Sequence, residues 1–114
     1  MIEVMLEAER AMAVGLLDKA ERLYAQVAAA DPHNSIAVMG LARIALERDN
    51  QRRAYLLARR ALALDPDNPM ASHMARRMAE VMAGRGEAPP DEPAPSPEAP
   101  SAGPGFLDRL RRRP

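Results

Sequence analysis

A four-residue turn signature occurs twice in this chain, as Asp31-Pro32-His33-Asn34 and again as Asp65-Pro66-Asp67-Asn68. Proline lacks the amide that continues a helix, and Asp and Asn side chains bond nearby backbone groups in turns. Each signature therefore closes one helix and opens another. The same offset relates Ala8 to Ala42, Ala11 to Ala45 and Ala20 to Ala54. A chain that returns to the same residues at the same turn every 34 positions is built from copies of one supersecondary unit. Between the turns the sequence is rich in Ala, Leu, Met, Arg and Glu, all good helix formers, with helical periodicity and almost no strand alternation. Interruptions at Gly15, Asp31-Pro32, Asp49-Asn50, Asp65-Pro66 and Gly84 predict five helices over 2–14, 18–30, 35–48, 51–64 and 69–83. Asn34 or Ser35 caps the third, and Asn68 followed by Pro69 caps the fifth.

Residues 1–83 resemble a tetratricopeptide repeat array, of a small bacterial type with two repeats and a closing helix. The first repeat carries Ala8, Gly15, Ala20, Tyr24 and Pro32 at the marked positions, and the second Leu41, Ala42, Ala54, Ala61 and Pro66. Departures are Val4 and Glu7 for the usual Trp and Leu, Ala11 and Ala45 for Tyr, and Asp49 for the turn glycine. The resemblance implies an all-α solenoid: repeat one over 1–34, repeat two over 35–68 and a capping helix over 69–84. Met70, Met74, Met78 and Met82, beside Ala71, Ala75 and Ala79, are expected to pack on the helix at 51–64.

The resemblance also implies a concave surface, lined by the first helix of each repeat, that binds peptides. The 34-residue period sets equivalent residues in ladders: Ile2, Ile36 and Met70; Met5, Met39 and His73; Glu9, Arg43 and Arg77; Met12, Leu46 and Glu80. The candidate groove is Met5, Glu9, Met12, Met39, Gly40, Arg43, His73 and Arg77, with Met39 expected to be accessible. Gly40 either leaves room for a guest side chain or permits close helix packing. The Lys and Asn of the carboxylate clamp in chaperone-binding members are missing, since Met5 and Glu9 stand where a cation and an amide would be needed. Glu9 is expected to neutralise Arg43, leaving Arg77 for an acidic group on a ligand.

The sequence carries no sign of catalysis. It lacks cysteine, a glycine-rich phosphate loop, paired histidines at metal spacing and a GxSxG elbow. His33 falls in a turn and His73 has no evident partner, so no enzyme, cofactor or metal is expected. A net charge of zero and 3% aromatic residues argue against nucleic acid as a partner. The pairs Arg52-Arg53, Arg59-Arg60 and Arg76-Arg77 read as a solvated face or as a site for an acidic or nucleic-acid partner on the outer surface. With no apolar run of membrane length and no basic stretch at the start, the expectation is a cytoplasmic protein.

All of the eleven prolines except Pro32, Pro66 and Pro69 lie from Pro89 onward. Residues 85–105, rich in Pro, Ala and acidic residues, are expected to form a disordered linker. Residues 106–114 form a basic amphipathic motif, with Phe106, Leu107 and Leu110 on one side and Arg111, Arg112 and Arg113 around them. This motif is expected to dock on a protein or to make at most peripheral membrane contact. The first helix has no capping residue, and its outer face is a candidate homodimer contact. The expected function is a non-catalytic adaptor that binds a peptide or helix of a protein partner. The alternative is a membrane-surface or nucleic-acid-associated accessory protein that acts through its arginine clusters.

Overall fold

A computed structural model describes residues 1–89. They form five helices: α1 Ile2–Ala13, α2 Leu17–Ala30, α3 Ser35–Glu47, α4 Gln51–Leu64 and α5 Pro69–Gly84. Each helix packs chiefly on its neighbours in sequence, α1 on α2, α2 on α3, α3 on α4 and α4 on α5.

The repeat is visible bond by bond in the turns. After α2 and after α4, an Asp carboxylate oxygen accepts from the amide two residues on: His33 to Asp31 Oδ1 at 3.3 Å and Asp67 to Asp65 Oδ1 at 3.1 Å. The amides of Asn34 and Asn68 then bond the Asp31 and Asp65 carbonyls, both at 3.0 Å. Finally Asn34 Oδ1 accepts from Ala37 N, and Asn68 Oδ1 from Met70 N and Ala71 N. Asn34, rather than Ser35, is therefore the cap of α3.

The other connection is equally regular. Helix α1 ends with the Gly15 amide on the Met12 carbonyl and the Leu16 amide on the Ala11 carbonyl. Helix α3 ends with Asp49 on Leu46 and Asn50 on Ala45. This paired pattern needs one residue in the left-handed region. Gly15 takes it at φ 82° and Asp49 at φ 60°. Asp tolerates that region better than most side chains, which is how α3 turns without the glycine. Helix α5 closes in the same way, but at Gly86, φ 78°, with the Glu87 amide on Met82. The helix itself ends at Gly84, one residue past the expected 83 and at the bound expected for the capping helix, and the glycine that turns the chain is Gly86 rather than Gly84.

Small residues bring the helices together. Ala8, Ala20, Ala42, Ala54, Ala58, Ala61 and Ala71 have no exposed surface at all. One cluster joins α1 and α2 to Ile44 of α3, and a larger one joins α3, α4 and α5. The methionine row on α5 does not pack as a unit. Met78 and Met82 are buried, Met74 is half-buried and Met70 is 53% exposed. A spacing of four drifts about 40° per step around a helix of 3.6 residues per turn. The buried stripe is instead Ala71, Ala75, Met78 and Met82.

Candidate functional site

Glu9 is the residue that ties the candidate groove together. Its carboxylate accepts a 2.5 Å bond from the Tyr24 hydroxyl and a 3.2 Å bond from Arg43 Nη1. The Glu9–Arg43 ion pair crosses from α1 to α3, one repeat apart, and both side chains are part-exposed. Tyr24 itself is fully buried. Burial, and after it the hydrogen bond and negative charge of Glu9, hold its phenol well above the usual tyrosine range.

Two ladders meet beside this ion pair. Met12, Arg43 and Leu46, with Leu17 and Glu47, line an open depression of about 680 Å³ between α1 and α3. Met5, Met12 and Leu46 are half-buried, each with an apolar side chain partly in water. On α5, His73, Arg77 and Glu80 are exposed. Among the described residues Arg77 makes no salt bridge.

Two groove assignments need correction. Met39 is only 3% exposed and belongs to the core shared by α3, α4 and α5. Helix α3 is covered from both sides, by α2 and by α4, so more of its circumference is buried than on α1 or α5. Equivalent positions in Met5, Met39 and His73 therefore go from half-buried to buried to exposed. Gly40 offers no room to a guest either. A Cβ there would collide with the Tyr24 ring, so the glycine exists to seat Tyr24.

His33 is exposed in its turn. Among the described residues no group of three or more His, Cys, Asp and Glu comes together to hold a metal ion. No helix among them is long and apolar enough to cross a membrane. The linker beyond Pro89 and the motif with Phe106, Leu107, Leu110, Arg111, Arg112 and Arg113 lie outside the described residues.

A family model described as tetratricopeptide repeat matches residues 11–78, more than half of the chain, from inside α1 to inside α5. The chain belongs to the tetratricopeptide repeat family. Neither the curated proteins nor the solved structures give a significant match to it. Tetratricopeptide repeats are in general protein–protein interaction modules, typically scaffolds rather than enzymes. The turn bonds, the caps and the alanine contacts above are how this chain builds the tetratricopeptide helix pairs.

Sequence reasoning missed several residues that organise the tetratricopeptide surface. Arg48, at the end of α3, reaches back to Asp18 and, at 2.7 Å, to Glu21 on α2. Asn68 Nδ2 donates to Ser35 Oγ at 2.9 Å in a buried contact between the starts of α5 and α3. The Tyr24 hydroxyl bond to Glu9 was missed as well. Of these, only Ser35–Asn68 had a signal, since both sit where the first helix of a repeat unit begins.

Proposed function

We propose that this chain is a non-catalytic adaptor that holds a peptide or helix of a protein partner along α1, α3 and α5, and presents residues 106–113 as a tethered docking motif. One observation carries the groove reading. The depression lined by Met12 and Leu46 lies beside an arginine already neutralised by Glu9, while Arg77, one repeat further on, has no such partner among the described residues. A ligand with an apolar side chain for the first site and a carboxylate for the second matches that arrangement. Charge-assisted bonds of this kind set orientation, and the apolar contact supplies most of the affinity.

The test compares partner capture by the full chain with capture by Leu46→Glu, Arg77→Glu and a chain lacking residues 106–113. Leu46→Glu is expected to abolish groove binding with an unchanged helical circular dichroism spectrum, because Leu46 is already part-exposed. Arg77→Glu is expected to weaken it. Full capture by Leu46→Glu overturns the groove reading. Loss only on removal of 106–113 assigns the partner to the tail.

A second reading has its own support. Arg52, Arg53, Arg60 and Arg76 are exposed on α4 and α5, while Arg59 is engaged by the Tyr55 hydroxyl at 2.9 Å. Binding through that face to phosphate-rich partners would fall steeply with salt. Groove capture through Met12 and Leu46 would persist.

A further inference from the structure

The two ends of this repeat stack are finished differently. At the far end, α5 turns outward a face on which Ser72 and Arg76 stand where α1 and α3 carry Val4 and Val38, and Ala8 and Ala42. That end is polar and resembles the terminal cap that repeat arrays need for solubility. At the near end the exchange is only partial: charged residues stand at two positions that α3 buries, and large apolar residues stay exposed beside them.

Helix α3 packs on α2 through a stripe at spacing 3, 4, 4: Ala37, Gly40, Ile44 and Arg48. Ile44 enters the α1–α2 cluster, Gly40 receives Tyr24 and Arg48 pairs with Asp18 and Glu21. The same stripe on α1, one repeat earlier, is Glu3, Leu6, Arg10 and Val14, and it faces solvent. Leu6 is 50% exposed and Val14 71%, with Leu16 beside them at 53%. Among the described residues neither Glu3 nor Arg10 has an ion-pair partner.

We propose that this α1 stripe is a homodimer interface, with a second copy of the chain bound about a two-fold axis. Three features select a second copy. The stripe is self-complementary. Glu3 and Arg10 are opposite charges two turns apart, about 10 Å at roughly 1.5 Å per residue, with Leu6 between them. In an antiparallel pair of α1 helices crossing between residues 6 and 7, Glu3 of each copy meets Arg10 of the other. The two Leu6 side chains then pack together at the axis. Met1, 53% exposed, runs toward the other copy's Val14 and Leu16. These two residues line a shallow depression of about 270 Å³ with Glu7, Arg10 and Lys19.

The second feature excludes stacking of a further hairpin of the same kind as repeat one. Leu6 fills the position where Gly40 must be bare to admit a tyrosine, so a Tyr24-type helix cannot seat there. The third disfavours head-to-tail growth. There Leu6 and Val14 of one copy would lie on the Ser72–Arg76 face of another, whereas two α1 stripes set leucine against leucine and acid against base. A closed two-fold contact pairs both charges and covers both leucines, and it is the commonest symmetry of soluble oligomers. A dimer of this form would carry two grooves on one particle and gain avidity for a partner with two ligand segments.

Sedimentation equilibrium of the full chain at low salt, from about 10 μM to about 0.5 mM, tests this over the affinity range of a modest dimer. The expected mass rises from that of one chain to that of two and no further. Leu6→Glu is expected to stay monomeric with unchanged circular dichroism, since Leu6 is half in water already. Glu3→Arg or Arg10→Glu alone is expected to weaken the dimer about tenfold or more, through like charges brought together. The double variant Glu3→Arg/Arg10→Glu is expected to restore it. A chain that stays monomeric throughout, a dimer that survives Leu6→Glu, or growth beyond two copies overturns the proposal. So does a double variant as weak as the single ones.

Discussion

Gly40 lacks a side chain because the Tyr24 ring occupies the space where one would be. Replacing it with Ala brings two opposed effects. Helix propensity favours Ala by about 1 kcal/mol, while overpacking a dense core costs about 1–3 kcal/mol. The Cβ would sit well inside contact distance of three ring carbons, on a ring held by its own hydroxyl bond to Glu9. The overpacking wins, and Gly40→Ala is expected to lower the thermal midpoint. Tyr24 also gives the domain an alkaline limit. Its folded pKa is raised above the ordinary value of 10.0, by burial first and by Glu9 second. A group raised on folding contributes fully below its unfolded pKa and loses that contribution as pH rises through the folded one. Stability is therefore expected to fall above about pH 10, and thermal melts of Tyr24→Phe should lack that component of the fall.

At the scale of the element, the asparagine caps of α4 and α5 are not equivalent. Asn50 accepts only from the Arg53 amide. Asn68 accepts from two amides and also donates to Ser35 in a buried contact. Loss of a cap costs about 0.5–2 kcal/mol, and leaving a buried hydroxyl without its partner adds about 1–3 kcal/mol. Asn68→Ala is expected to destabilise the domain by more than Asn50→Ala in denaturant titrations. Equal losses would show that the Ser35 contact contributes nothing. The cap therefore has two tasks: it starts α5 and fixes where α5 stands against α3.

For the whole molecule, α5 is what makes two repeats sufficient. Each helix pair buries one face only, and about three repeats are usually needed for a stable stack. Here Ala71, Ala75, Met78 and Met82 of α5 cover α4, whose Ala54, Leu57, Ala58 and Ala61 belong to the same cluster. A chain ending at residue 68 would expose that face of α4 to water. It is expected to lose its cooperative thermal transition, whereas a chain ending at residue 89 should keep one. A cooperative melt of the 1–68 chain would show that α5 only decorates the stack.

Helices, turns and family were all legible in the residues alone. They rest on local chemistry: Pro32 and Pro66 stop helices, Asn34 and Asn68 start them, and Gly15 turns the chain, whatever surrounds them. The pairing of Glu9 with Arg43 was also legible, because the repeat places both on one ladder. Periodicity could not say how deep each rung lies. Met39 and His73 occupy equivalent positions, yet one is core and the other is in water, because α3 has helices on both sides and α5 does not. Gly40 was ambiguous for the same reason, since only the position of the Tyr24 ring, brought in from another helix, decides whether the missing side chain is a vacancy or a contact. Burial depends on how many neighbours cover a face, and that number is fixed only once the helices are stacked.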